Sequence, residues 1–264
     1  MTALLATSTL WGFSVGDIVL GALAAITIGL GKTAIPGAGM LAVPLVASVF
    51  DGRSTVGATL IILVTADLFA VRWYREHTRW DVLWGMVPWI TLGYIAGTWF
   101  FISIGSAGRP LDITMGALIL VMVLLQSARM LRRSPASEPS LAASAFYGST
   151  GGFATFVSNN AGPIINTHLL RLGLEKQELV GTAAWFYFGV NVAKFPIYLA
   201  VGWWTGGGSF FTADSGKFAV LMIPVVVAAV LVGRRLFHVV PTQLFVSIVL
   251  VLAAAASVKL LAGW

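Results

Sequence analysis

Lys32 and Lys194 are the basic residues that lie within apolar sequence, in GLGKTAIPGAG (29–39) and VNVAKFPIY (190–198); the other basic residues sit in or beside loops. An ammonium at membrane depth costs about 2.5 to 3.5 kcal/mol on insertion scales, so it needs a partner, a water-filled cavity or a task. The plain alternatives are that one or both snorkel to the interface, or that Lys194 pairs structurally with Asp67. Around Lys32 the sequence places Gly29, Gly31, Gly37, Gly39 and Pro36, a helix break. Backbone N–H groups at the start of the next helical piece then need a partner that lipid cannot provide. An anion satisfies them: the helix start carries partial positive charge, glycine lets the backbone approach closely, and a lysine completes the neutralisation.

A second interruption, SNNAGPIINTH (158–168), holds donors without net charge: Ser158, Asn159, Asn160, Asn166, Thr167 and His168. Asn159 or Asn160 could instead serve only as a helix cap. The candidate anion-binding set is Gly31, Lys32, Thr33, Gly37, Gly39, Asn159, Asn160, Gly162, Asn166, Asn191 and Lys194. Asp67 has three readings: proton carrier, partner of a lysine, or an aspartate near the headgroups at the end of its span. His168 titrates near neutral pH in an ordinary setting, but a lone histidine near a hairpin end also caps or bonds locally. Asp67 and His168 are therefore coupling candidates, with a proton or other ion as the coupled species.

The elements that must position these groups are membrane helices. Of 264 residues, 58% are hydrophobic and 10% charged, against roughly 25% charged in soluble domains. Apolar runs near 54–74, 82–104, 111–130, 178–201, 217–237 and 241–262 are each long enough to cross a bilayer with about 20 residues. Residues 14–50 and 142–172 are too long for one crossing and too interrupted for two, and read as paired half-helices. The opening MTALLATSTLWGF lacks a basic region, so the first apolar segment is expected to stay in the mature chain. Tryptophans such as Trp73, Trp80, Trp84, Trp203 and Trp204 fall at span ends, as an aromatic belt does.

The linker RMLRRSPASEPSLAAS divides two halves whose parts come in the same order, 1–133 and 145–264 with 134–144 between them. Pairing Ala38-Gly39 with Ala161-Gly162 brings Gly57 beside Gly181, Asp67 beside Asn191, Pro88 beside Pro224 and Gly97 beside Gly233. Such internal symmetry marks transporter folds built from repeats. If each broken segment is a re-entrant hairpin, Arg72, Arg75, Arg79, Arg129, Arg132, Arg133, Arg171, Lys176, Arg234 and Arg235 share one side of the membrane. Arg53, Arg109, Lys217 and Lys259 then face the other. If each broken segment crosses once, the bias nearly vanishes, so the positive-inside rule favours hairpins. The expected fold is an all-α polytopic membrane protein of two inverted repeats, each a broken, re-entrant helical hairpin plus three transmembrane helices.

Several chemistries are excluded. There are no cysteines, so no thiolate chemistry and no cysteine-ligated metal. The basic residues cluster in short loops rather than on one face, which argues against nucleic acid despite a pI near 10.0. GLGKT resembles the tail of a phosphate loop, but Ile26 stands where a glycine is required and no strand precedes it. No HExxH, metal-ligating cluster or GxSxG with triad partners is present. Neither a cofactor nor a metal is expected, nor an enzyme.

With these features in place, GLGKTAIPGAGMLAVPL (29–45), VGATLIILVTADLF (56–69), NNAGPIINTHLLRLGL (159–174) and VGTAAWFYFGVNVAKFPIY (180–198) together resemble the TauE/SafE family of membrane permeases, the sulfite exporter group. The resemblance covers nearly the whole chain. It implies an all-helical secondary transporter of the inner membrane that moves a small sulfur-containing anion such as sulfite or sulfoacetate. The usual triple-glycine breaks are replaced here by Lys32-Thr33 with Pro36, and by Ser158-Asn159-Asn160, so the substrate stays open. The expected partners are a small anion and the lipid bilayer; direction, coupling ion and a homo-oligomer are open. An anion channel is the alternative reading, and a membrane enzyme a more distant one.

Overall fold

The computed structural model describes residues 10–33, 37–105, 108–131, 140–206, 208–236 and 242–263. Helix α1 (Val15–Thr33) is followed by a 3-10 turn (Ala38–Leu41) and the short α2 (Ala42–Val46). Then come α3 (Arg53–Tyr74), α4 (Trp80–Ile104) and α5 (Gly108–Leu131). The second half repeats that order with α6 (Leu141–Ser158), α7 (Gly162–Arg171), α8 (Lys176–Thr205), α9 (Ala213–Leu236) and α10 (Thr242–Ala262). Among the described residues there is no strand, and α1, α3, α4, α5, α8 and α9 are long and apolar enough to cross a membrane. The expected spans are all helical, with ends displaced by a few residues. Of the linker at 134–144, residues 134–139 lie outside the described residues; Leu141 already opens α6, with the Ser140 hydroxyl accepting from the Ala143 N–H at 3.1 Å.

Both broken segments fold back on themselves. Phe13, just before α1, packs on Phe50, just after α2, with ring centroids 6.0 Å apart, so the first segment returns to the level at which it began. In the second, the Tyr147 ring on α6 stacks on His168 of α7 at 5.2 Å, and Ile165 lies against Gly151. The two limbs of each hairpin differ in length, 19 against 5 residues for α1 and α2 and 18 against 10 for α6 and α7. Residues 15–33 run as one helix, whereas the return limb lies between the positive-φ glycines Gly37 and Gly52 and holds the 3-10 turn and α2.

The hairpins open toward opposite ends of the bundle. The base of the first is joined by the Arg53 guanidinium, which reaches Thr205 Oγ1 at the end of α8 and the Phe101 carbonyl near the end of α4. The base of the second lies with the start of α4, where Arg79 Nη1 meets Glu178 Oε1 of α8 at 3.6 Å and the Arg79 N–H donates to Thr182 Oγ1.

Exchanging the halves maps close contacts onto close contacts. The register that pairs Ala38 with Ala161 also pairs Gly29 with Gly152 and Thr33 with Phe156; the one that pairs Gly97 with Gly233 pairs Gly93 with Ala229. Gly93 of α4 abuts Gly152 of α6, and Gly29 of α1 abuts Ala229 of α9. Likewise Gly97 faces Phe156, and Gly233 faces Thr33. Gly57 and Gly181, near the starts of α3 and α8, each press on a backbone carbonyl of the other half, Phe210 and Tyr74. Small residues recur there because two backbones meet with no room for a side chain.

Candidate functional site

The two hairpin tips overlap at mid-depth. Gly37 adopts φ 92°, the left-handed region glycine enters at little cost, and opens the 3-10 turn. There Gly31 and Gly39 approach so closely that a Cβ on Gly31 would lie 2.8 Å from the Gly39 nitrogen. In the other tip Asn159 is left-handed at φ 53°, and its N–H closes on the Thr155 carbonyl as a helix C-terminus. Pro163 then sits in the first turn of α7, where its missing N–H costs nothing. The Asn160 amide donates to the Met40 carbonyl at 3.5 Å, joining one tip to the other.

The tips border a half-open cavity of about 70 Å³. It is lined by Gly31, Lys32, Gly37 and Gly39 from the first hairpin and by Asn159, Asn160, Gly162 and Asn166 from the second. Leu63, at the centre of α3, and Asn191, at the centre of α8, close its sides. At 1.5 Å per residue, Leu63 stands about 15 Å from the start of α3, half the thickness of a bilayer's hydrocarbon core. Of the two helical starts that reach the cavity, neither carries a side-chain cap.

Charges converge on this cavity from α1, α3 and α8. Lys32 Nζ meets Asp67 Oδ1 at 2.6 Å and lies over the Tyr187 ring, 4.1 Å from its centroid. The Asn191 amide donates to Asp67 Oδ2 at 2.6 Å, so the two residues at matching repeat positions bond to each other. Lys194 Nζ reaches Thr155 Oγ1 at 2.8 Å and the side-chain oxygens of Asn159 and Asn191 at 2.9 Å each. Asn159 passes the chain on, its amide donating to the Val56 carbonyl at 2.8 Å. Lys32 keeps 13% of its side chain accessible while Asp67 and Lys194 have none, so Lys32 is the charge a ligand can touch. Lys32 and Asp67 cancel. Among the described residues, Lys194 meets neutral oxygens, three acceptors around its Nζ.

Most of the residues singled out by sequence meet here. Gly31, Lys32, Gly37, Gly39, Asn159, Asn160, Gly162, Asn166 and Asn191 line the cavity, with Lys194 and Asp67 bonded directly behind them. Three readings are corrected. Thr33 turns away, its hydroxyl bonded to the Gly29 carbonyl and packed on Gly233, because neighbouring helical residues diverge by about 100° and Lys32 takes the inward direction. His168 lies at the base of its hairpin, stacked on Tyr147, several residues along α7 from the tip. Asp67 pairs with Lys32 rather than with Lys194, and Asn191 stands between them. Sequence reasoning missed Tyr187 and Thr155: one is an aromatic among aromatics in AWFYF, the other a small polar residue in a glycine-rich run.

No grouping of histidine, aspartate and glutamate fit to hold a metal ion occurs among the described residues. Among curated proteins, none matches the chain significantly. The family described as Sulfite exporter TauE/SafE matches it over residues 20–260. That span takes in all but the first few residues of the two hairpins and of the six long apolar helices, so this chain is a multi-pass membrane protein that belongs to the TauE/SafE family of membrane transporters.

Proposed function

We propose that the chain moves a compact sulfur oxyanion such as sulfite across the inner membrane by alternating access, binding it between the two hairpin tips. The observation that carries this reading is a small mid-depth cavity, reached by both tips from opposite ends, into which an accessible ammonium projects. The uncapped start of α7 at Ala161 offers N–H groups to the anion's oxygens, and the side-chain amide of Asn160 borders the same space. The halves 1–133 and 145–264 act as inverted repeats that exchange roles as the site opens first to one side and then to the other. The end bearing Arg75, Arg79, Arg171 and Arg234 faces the cytoplasm.

The test is sulfite flux into liposomes containing the purified protein, beside Lys32→Gln. Wild type should show saturable flux with counterflow. Losing one charge-assisted contact worth about 1.5 to 3 kcal/mol should weaken sulfite binding by about ten-fold or more in the variant. Equal flux in both proteins overturns the site, and non-saturable flux without counterflow makes the protein a channel.

A further inference from the structure

We propose that the transported anion travels with a proton carried by Asp67, which makes the protein a proton–anion symporter. The inference rests on the anion site just described and is carried by one geometry: the ammonium that the anion must engage, Lys32, is already held at 2.6 Å by a carboxylate with no access to solvent. An anion arriving at Lys32 competes with Asp67 for it. Were Asp67 to stay ionised, it would be left as a buried carboxylate whose remaining support among the described residues is the Asn191 amide, an unfavourable state. A proton removes that cost. On the open face, water delivers one H⁺ to an Asp67 carboxylate oxygen, the carboxyl group releases Lys32, and the anion takes the freed ammonium. On the opposite face the proton leaves, Asp67 recaptures Lys32, and the anion is expelled.

The charged surroundings of Asp67 suit this exchange. On its own helix Arg53, Arg72 and Tyr74 lie near the ends. From α1 it faces Lys32, and from α8 it faces Asn191, with Lys194 behind and Tyr187 over Lys32. The charged residues of α9, namely Asp214, Lys217, Arg234 and Arg235, stand at its two ends; α2 carries none, and Arg75, Glu76 and His77 belong to the turn beyond α3. Lys32 is thus the one ionised side chain in direct contact with the carboxylate among the described residues.

The experiment measures sulfite affinity against pH, and protons taken up per sulfite bound, for wild type, Asp67→Asn and Lys32→Gln. Sulfite's own titration is common to all three proteins, so differences between them isolate the residues. Relative to Asp67→Asn, wild-type affinity should rise about ten-fold for each unit of falling pH, and wild type should take up about one more proton per anion. Asp67→Asn mimics the protonated carboxyl, so its sulfite affinity should follow pH only through sulfite's own titration, and it should fail to accumulate sulfite when a pH gradient is imposed. Equal proton uptake in both proteins, or gradient-driven accumulation by Asp67→Asn, overturns the symport. Should Asp67→Asn not fold, wild-type sulfite entry into liposomes decides: alkalinisation of the outer medium beyond what sulfite's own protonation accounts for supports coupled uptake, and its absence overturns it. Undiminished sulfite binding by Lys32→Gln refutes the anion site itself, whereas lost binding there with no proton difference at Asp67 refutes the coupling alone.

Discussion

The two hairpins occupy matching places in their halves, yet they bring different chemistry to the cavity. The first brings charge and bare backbone: Lys32 in the last turn of α1, then Gly37 and Gly39. The second brings amides, Asn159, Asn160 and Asn166, and takes its charge from Lys194 on α8, through bonds to Thr155 and Asn159. Packing contacts repeat between the halves, down to Gly93 on Gly152 and Ala229 on Gly29. Charges do not repeat. Under the proposed alternating access, a scaffold that presents one site to either side gains from symmetric packing, because each half can then support the same closure. Each half supplies one lysine, but at unlike positions: Lys32 in the last turn of α1 and Lys194 within α8. Each lysine also stands beside a helix C-terminus, whose partial negative charge it offsets, while the two helical starts stay uncapped.

The sharpest way to break the symmetric half of this comparison is at Gly57 and Gly181. A Cβ on Gly57 would overlap the Phe210 carbonyl oxygen, and one on Gly181 would lie 2.5 Å from that of Tyr74. Both obstacles are backbone and cannot rotate away. Gly181→Ala should cost about 1 to 3 kcal/mol and Gly57→Ala about 3 kcal/mol or more, read as lowered thermal stability in detergent. If either variant is as stable as wild type, the close approach at that crossing is wrong.

The next largest effect separates the two lysines. Lys194→Met leaves the side-chain oxygens of Asn159 and Asn191 without their donor, at about 1 to 3 kcal/mol for each buried acceptor. Relief of a buried charge offsets part of that, leaving a net loss of about 1 to 3 kcal/mol. Lys32→Met should cost less stability because its ammonium is partly accessible, but it should lose more sulfite affinity. Stability and binding measured on the same two variants check this order, and its reversal would make Lys194 the group that holds the anion.

Much of this was legible in the sequence, for a reason particular to membranes. Against a 58% hydrophobic background, any lysine, asparagine or proline within a run stands out, and so Lys32, Asp67, Asn159 and Lys194 were visible as polar groups needing partners. Which partner each chose was not visible, because that depends on rotation about α3 and α8: Asp67 faces Lys32, and Asn191 intervenes before Lys194. The backbone acceptors at Val56 and Met40 have no sequence signature at all. Tyr187 was hidden for the opposite reason, since an aromatic residue in an aromatic-rich helix carries no contrast.

The smallest expected effect tests the comparison at its most symmetric point. Thr33 follows Lys32 and reads as a natural hydroxyl ligand, yet it packs on Gly233 just as Phe156, its counterpart in the second hairpin, packs on Gly97. One position is polar and the other aromatic, and both fill the same kind of crossing. The Thr33 hydroxyl donates at 2.9 Å to the Gly29 carbonyl, four residues earlier in the same helix, a bond that adds little to an acceptor already used by the helix. Thr33→Val keeps the shape against Gly233 and removes only that bond, so stability should change by about 0.5 to 1 kcal/mol and sulfite flux by less than about two-fold. A large loss of flux with stability intact would return Thr33 to the cavity and show that the first hairpin rotates during transport, because no rotation short of that brings its hydroxyl to the anion.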